Sequence, residues 1–247
     1  MFELTGRTGI VTGASSGIGF DIAEVLARAG AKVIALSRTG CPKVSGLSSH
    51  MNVEHIKADI TDYPALEKLI NELGNAASID FLINNAGITV KKRAEEMSDE
   101  DFERVHRVNV FSVFKLSALC YPFLKNSPHT GRIVSIASMA AHLGFSEVVP
   151  YCSSKSAVLG LTRGLAIEWA NDNITVNSVS PGWFPSEMTM TVMDAARREK
   201  MLNRMPLHKF GDPRDIGAII AFLLSDSAKY ITGQDFAVDG GALAYGY

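Results

Sequence analysis

Seven short runs of β-branched and apolar residues punctuate the chain, at 9–12, 32–36, 54–58, 80–83, 132–136, 175–179 and 235–238, and each reads as a strand. Between them, 17–29, 64–73, 101–124, 151–169 and 213–224 carry apolar side chains at helical spacing, as Val158, Leu161 and Leu165 show. Strands alternating with helices pair in parallel, because parallel neighbours need crossover connections, and the helices then cover both faces of the sheet. The pattern predicts an α/β fold, a doubly wound parallel sheet of seven strands formed as a single domain over 1–247. Two connections are less regular: 39–52, rich in Gly and Ser, and 181–210 after the sixth strand. The stretch from about 183 to 210 is the expected substrate loop, since long connections at the carboxyl ends of such strands are where ligands sit.

Composition narrows the function. With 24 Lys+Arg against 26 Asp+Glu the net charge is −2, so no broad basic surface is expected to hold nucleic acid. Cys41, Cys120 and Cys152 are odd in number and lack a CxxC, which argues against a disulfide framework or thiolate zinc site and for a cytoplasmic protein. The amino terminus has no basic segment followed by an apolar one, and the longest apolar run, 216–224, falls short of the roughly 20 residues a bilayer requires; neither secretion nor membrane insertion is expected. Histidines 50, 55, 106, 129, 142 and 208 show no ligand spacing, so no metal is expected.

Directly after the first strand comes Thr12-Gly13-Ala14-Ser15-Ser16-Gly17-Ile18-Gly19, and a helical pattern opens at once. Strand, glycine-rich turn and helix together present free backbone N–H groups and a helix dipole to a pyrophosphate. A turn whose glycines only allow helix–strand packing is the plainer alternative. No Lys-Ser or Lys-Thr follows the last glycine, so this is not the loop of a nucleoside triphosphatase. The same residues also spell G-x-S-x-G, the nucleophile elbow of hydrolases, with Ser15 as nucleophile and His208 in order for a base. That elbow needs an oxyanion loop from an earlier strand, and only one strand precedes Ser15.

The glycine spacing GxxxGxG resembles that of the short-chain dehydrogenase/reductase family, and four further segments agree. Asn84-Asn85-Ala86-Gly87 is similar to the family's NNAG; Asn109 follows in the next helix and Ser138 after the fifth strand; Tyr151-Cys152-Ser153-Ser154-Lys155 matches YxxxK; Pro181-Gly182 follows the sixth strand. The resemblance covers essentially the whole chain and implies a Rossmann-type sheet, a nicotinamide cofactor and commonly a homotetramer. It implies a ketone or alcohol substrate, with Tyr151 as general acid/base, Ser138 polarising the carbonyl, Lys155 tuning Tyr151 and holding the nicotinamide ribose, and Asn109 holding a water in a proton relay that ends at Lys155.

Part of this chemistry follows from the residues themselves. Tyr151 and Lys155 stand four apart and so share a helix face. A cation beside a phenol lowers its pKa from about 10, which brings proton exchange toward neutral pH. An isolated YxxxK would equally be a packed aromatic beside a solvated lysine. Ser138, just beyond an apolar strand, can donate to a substrate oxygen or be an ordinary loop residue. Asn109 lies between Val108 and Val110, where an amide is a poor helix former and marks either a site or a solvent-facing position.

The cofactor residues implied by the resemblance are Gly13, Ser15, Ser16, Gly17, Ile18, Gly19, Asn85, Ala86, Gly87, Tyr151, Lys155, Pro181 and Gly182. To these it adds Asp59 and Ile60 at the adenine, and the Phe184 backbone and Ser186 at the carboxamide. The second strand ends in Leu36-Ser37-Arg38 with no carboxylate for a ribose 2′-hydroxyl. Ser37 and Arg38 therefore point to a 2′-phosphate, so NADP(H) is preferred; a solvated loop charge, or stacking on adenine without discrimination, is the alternative for Arg38. The basic residue that some NADP-dependent relatives carry in the glycine loop is replaced by Ser16, which leaves NAD(H) possible. On the substrate side, Trp183, Met188 and Met193 either wall a pocket or pack in a core, and 140–147 forms the opposite wall, with His142 and Glu147 as candidates to grip a polar substrate, or, as the plainer reading of each, surface decoration. The stretch Pro181–Thr189 and the terminal Val238-Asp239-Gly240-Gly241 are similar to bacterial ketoreductases of the ketogluconate and 3-oxoacyl kinds. A sugar keto-acid or other small polar ketone is expected, with a 3-oxoacyl thioester and a catalytically silent dinucleotide sensor as alternatives.

Overall fold

A computed structural model of the protein describes residues 2–43, 50–185, 199, 201–203 and 205–245. Its centre is one seven-stranded sheet of β1 (Thr8–Thr12), β2 (Lys32–Ser37), β3 (Val53–Lys57), β4 (Phe81–Asn84), β5 (Gly131–Ile136), β6 (Ile174–Pro181) and β7 (Asp235–Val238). The order is β3-β2-β1-β4-β5-β6-β7 and every pairing is parallel. Strand succession therefore reverses direction between β1 and β4, and a crevice opens there beyond the carboxyl ends.

Alternation along the strands divides the interior into two apolar layers. Val11, Ile83, Val134 and Val179 face a layer completed by α1 (Gly17–Arg28) and α6 (Pro213–Leu224), through Ile22, Leu26, Ile216 and Ile220. Their neighbours Ile10, Leu82 and Ile133 face the other layer. That layer is closed by α2 (Tyr63–Ala76), α4 (Ser112–Lys125) and α5 (Val149–Glu168) through Leu66, Leu116, Leu124 and Leu165. At the opposite end of the sheet, buried Asp80 ties β1 to the connections around it by accepting from Thr8 N and the Ser78 and Ser127 hydroxyls.

One element departs from the sequence expectation. The helical pattern over 101–124 is not one α-helix: α3 (Asp99–His106) runs into a π-helical turn, Arg107–Phe111, before α4 begins. The extra residue in that turn rotates Asn109 inward, where it is 1% exposed. This removes solvent exposure as an account of Asn109. A short helix α7 (Ala242–Tyr245) ends the described chain.

Candidate active site

A cleft of about 1240 Å³ runs along the carboxyl ends of the strands, from Ser37 and Arg38 at one end to Ser138, Tyr151 and Trp183 at the other. Its floor is fixed by Thr12 at the end of β1. The Thr12 hydroxyl accepts from the N–H groups of Asn85 and Ala86, both at 3.0 Å, and Asn85 Nδ2 returns a bond of 2.9 Å to the Thr12 carbonyl. The loops after β1 and β4 are thus stitched together across the crevice. Gly19 permits this closeness, because a Cβ there would lie 2.3 Å from Asn85 Nδ2.

Ser16 is the N-cap of α1, yet its side chain makes no capping bond. The first-turn N–H groups of this 12-residue helix consequently present their positive end to the cleft, which suits the pyrophosphate of a dinucleotide. Toward the adenosine end, Asp59 holds its carboxyl below the ordinary range, mainly by accepting from the Thr61 hydroxyl and N–H and to a lesser degree through the nearby charge of Arg38. The width, the free helix terminus and the Arg38 cation fit NADP(H).

At the other end, α5 brings Tyr151 and Lys155 to the same wall that β5 closes with Ser138. Lys155 is 4% exposed and its Nζ donates to the Ile136 carbonyl at 2.6 Å, while lying 5.7 Å from the centre of the Tyr151 ring. Burial pushes the ammonium down to about 8. Burial also pushes the Tyr151 phenol up, against a smaller downward pull from its hydrogen bond with Ser138. The lowering of Tyr151 by Lys155 expected from spacing is therefore not the dominant effect here; desolvation of both groups is. Ser138 is further fixed by accepting from Ala140 N at 3.1 Å.

The buried Asn109 amide clamps the cleft from behind. Oδ1 accepts from Ile88 N at 2.9 Å, and Nδ2 donates to the Ile88 carbonyl at 2.9 Å and the Ser154 hydroxyl at 3.0 Å. Both ends of the side chain are engaged within the protein. Asn109→Leu would leave the Ile88 N–H and carbonyl unpaired in the interior, and is expected to cost about 2–4 kcal/mol of stability, read as a lower urea midpoint. An unchanged midpoint would contradict the clamp.

Every cofactor residue expected from the sequence lines this cleft except Ser186, which lies outside the described residues together with Met188 and Met193. Trp183 lines the cleft and meets Phe145 edge-on at 6.0 Å, so it belongs to the wall rather than the core. Glu147 also lines it, in a left-handed conformation with φ of 68° that costs about 1–2 kcal/mol in a residue with a Cβ. Its carbonyl accepts from Lys92 N at 2.9 Å, and its carboxylate pairs with Lys91 at 3.3 Å. His142 does not line the cleft; its Nε2 is held 2.8 Å from Asp235 Oδ2, a carboxylate also bound by the Ser178 and Ser180 hydroxyls. A substrate grip by His142 is thereby corrected to a tie between the wall and β7. His208, the base a hydrolase would require, contacts the Leu202 carbonyl and lies off the cleft that holds Ser15. Lys91 also lines the cleft, and its signal in the sequence is the run Lys91-Lys92-Arg93 that begins four residues beyond NNAG.

Residues 13–242 match a family model described as enoyl-(acyl carrier protein) reductase, one of those that define the short-chain dehydrogenases/reductases. The chain belongs to the short-chain dehydrogenase/reductase family. This short-chain dehydrogenase/reductase is an oxidoreductase, and its relatives include enzymes named for 3-oxoacyl and for sugar-acid substrates. A 3-oxoacyl-[acyl-carrier-protein] reductase of Rickettsia felis is 37% identical over 98% of this chain and 99% of its own length. A 2-dehydro-3-deoxy-D-gluconate 5-dehydrogenase of Dickeya dadantii is 36% identical over 98% of each. Among solved structures, a gluconate 5-dehydrogenase from Burkholderia cenocepacia, in complex with NADP and tartrate, superposes with a TM-score of 0.89 at 28% identity, covering 98% of this chain and 97% of that one.

Proposed function

We propose that this protein interconverts a ketone and a secondary alcohol with NADP(H), and that its substrate is a small hydroxylated keto-acid of the sugar-acid kind. The observation that carries the substrate class is the Lys91–Glu147 pair, which joins two segments lining the same cleft as Tyr151 and Ser138. A lysine there offers a charge-assisted bond to a substrate carboxylate, and the carboxylate of Glu147 accepts from a hydroxyl. The gluconate and 2-dehydro-3-deoxy-D-gluconate dehydrogenases among the relatives support the same class. The 3-oxoacyl carrier-protein reductases support a second reading, reduction of an acyl thioester.

NADP(H), when bound in the cleft, would supply the hydride to the carbonyl carbon, or accept it from the alcohol in the reverse direction. Ser138 and Tyr151 converge on the carbonyl oxygen, Ser138 by hydrogen-bond donation and Tyr151 by giving up its proton as negative charge develops. Burial keeps Tyr151 protonated for that transfer. Lys155 holds the nicotinamide ribose and replaces the proton on Tyr151, a task eased by an ammonium that has been brought down to about 8. Asn109 acts as a positioning residue through Ile88 and Ser154. Gly13, Ser15 to Gly19, Asn85, Ala86, Gly87, Pro181, Gly182, Phe184 and Ser186 hold the dinucleotide, and Arg38 with Ser37 takes the 2′-phosphate. NAD(H) is the weaker cofactor.

Within this proposal the protein is a cytoplasmic homotetramer of a single domain. The cysteines described are free, and no described helix is long and apolar enough to cross a membrane. Association is supported by the outer surface of the α4/α5 layer, where Phe111 is 62% and Ile167 80% exposed and a Cβ at Gly160 or Gly164 would meet nothing within 4 Å.

The test compares a keto-acid with its neutral methyl ester. Lys91→Ala is expected to raise KM for the acid about tenfold, the size of one partly exposed charge-assisted bond, with kcat and the ester's KM little changed. Equal effects on acid and ester, or efficient turnover only of 3-oxoacyl thioesters, would refute the keto-acid assignment.

A further inference from the structure

The glycine loop poses a charge problem. A 2′-phosphate carries about −1.5 to −2 at neutral pH, and Ser16 brings no cation to it. Arg38 is present, but Asp59 lies within reach of its charge and is held ionised, in part by Arg38 itself. One guanidinium shared with a carboxylate is a poor match for a dianion.

The chain immediately after β2 turns back toward this position. Gly40 N donates to the Ser37 hydroxyl at 3.1 Å, and the Thr39 hydroxyl donates to the Cys41 carbonyl at 2.9 Å. Gly40 has φ of +68°, and a Cβ on it would stand 2.8 Å from the Lys57 Cβ, so this return requires glycine. The returning strand of chain docks on the phosphate loop itself: Lys43 N donates to the Ser15 carbonyl at 2.8 Å. Lys43 then lines the same end of the cleft as Ser16, Ser37, Arg38 and Thr39. Its ammonium makes no ion pair among the described residues.

We propose that Lys43 is the second cation that reads the adenosine 2′-phosphate, delivered from the far side of the turn to the place that Ser16 leaves uncharged. This rests on the NADP(H) reading above and adds a residue to it. The substitution of a serine in the glycine loop is thus compensated by a lysine that is distant in local pattern and adjacent in space. Because the site is open to solvent, its contribution is Coulombic and screened by salt.

Equilibrium titration of NADPH and NADH separates this inference from the reading beneath it, using the full-length protein, Lys43→Gln, Lys43→Arg and Arg38→Gln. Lys43→Gln is expected to weaken NADPH binding about tenfold and NADH less than twofold, Lys43→Arg to retain NADPH affinity, and added salt to weaken NADPH binding less in Lys43→Gln than in the wild type. An NADPH affinity unchanged by Lys43→Gln but lowered by Arg38→Gln would overturn the role of Lys43 and leave the cofactor reading standing. Equal loss for both nucleotides would also overturn it, since that marks a structural role for the turn. A wild type that binds NADH as well as NADPH would remove both.

Discussion

Tyr151→Phe is expected to lower kcat by about 10²–10⁴ while the NADPH dissociation constant and the thermal midpoint stay close to those of the wild type. The substitution removes one oxygen and keeps the ring, so packing at the cleft wall survives. What disappears is the group that can pass a proton to the carbonyl oxygen as hydride arrives. Burial pushes the phenol up, so Tyr151 is protonated throughout the neutral range and competent as an acid for ketone reduction. Steady-state rates with binding titrations alongside check this. Retention of more than about a tenth of kcat would remove Tyr151 from the proton-transfer step.

Lys155→Met is expected to abolish turnover and at the same time stabilise the protein at neutral pH. The ammonium is 4% exposed and stands at about 8 rather than its ordinary 10.5. That lowering corresponds to a cost of about 3 kcal/mol for keeping the charge buried. Methionine removes that cost but leaves the Ile136 carbonyl without its donor, a loss of about 1–2 kcal/mol. The net gain is about 1–2 kcal/mol, or a rise in midpoint of about 2–8 °C for a chain of this length. The sign of the pH dependence follows from the direction of the shift. Between about 8 and 10.5 the unfolded wild type binds more protons than the folded one, so wild-type stability rises with pH across that window and is lowest below it. The advantage of the variant is therefore full below about 8 and has reversed above 10.5, where only the lost bond to the Ile136 carbonyl remains. Melts of both proteins from pH 7 to 11 measure it; a variant less stable than the wild type at pH 7 would show that burial of the lysine is not costly. A residue whose removal stabilises the fold while stopping the chemistry is one kept for function.

The sheet was legible because its strands are short and most of them apolar, and because a helical period separates every pair of successive strands except β2 and β3. The two-layer core follows from the same pattern, as Ile10 and Val11 or Ile133 and Val134 facing opposite helices show. That the motif residues line one cleft was legible because they cluster just after strands, where motif and position coincide. Hydrophobic spacing could not reveal the π-helical turn at Arg107–Phe111, since an added residue changes hydrogen-bond register without erasing apolar periodicity. The tie of His142 to Asp235 was not legible because that partner is 93 residues away and joins it only through strand order. Lys43 and Lys91 were not legible for the same reason: each is an ordinary surface charge until the turn after β2 or the wall after β4 brings it to the cleft. The protonation of Tyr151 and Lys155 was set by burial, a property of the finished fold that an i,i+4 spacing does not contain.

The most direct test of the account is the consumption of NADPH by the wild-type protein across sugar keto-acids, 3-oxoacyl thioesters and neutral ketones. NADPH oxidation that is fastest with a hydroxylated keto-acid is the predicted result. NADPH binding with no turnover of any carbonyl compound, or oxidation with neutral ketones and thioesters but not with keto-acids, would contradict it.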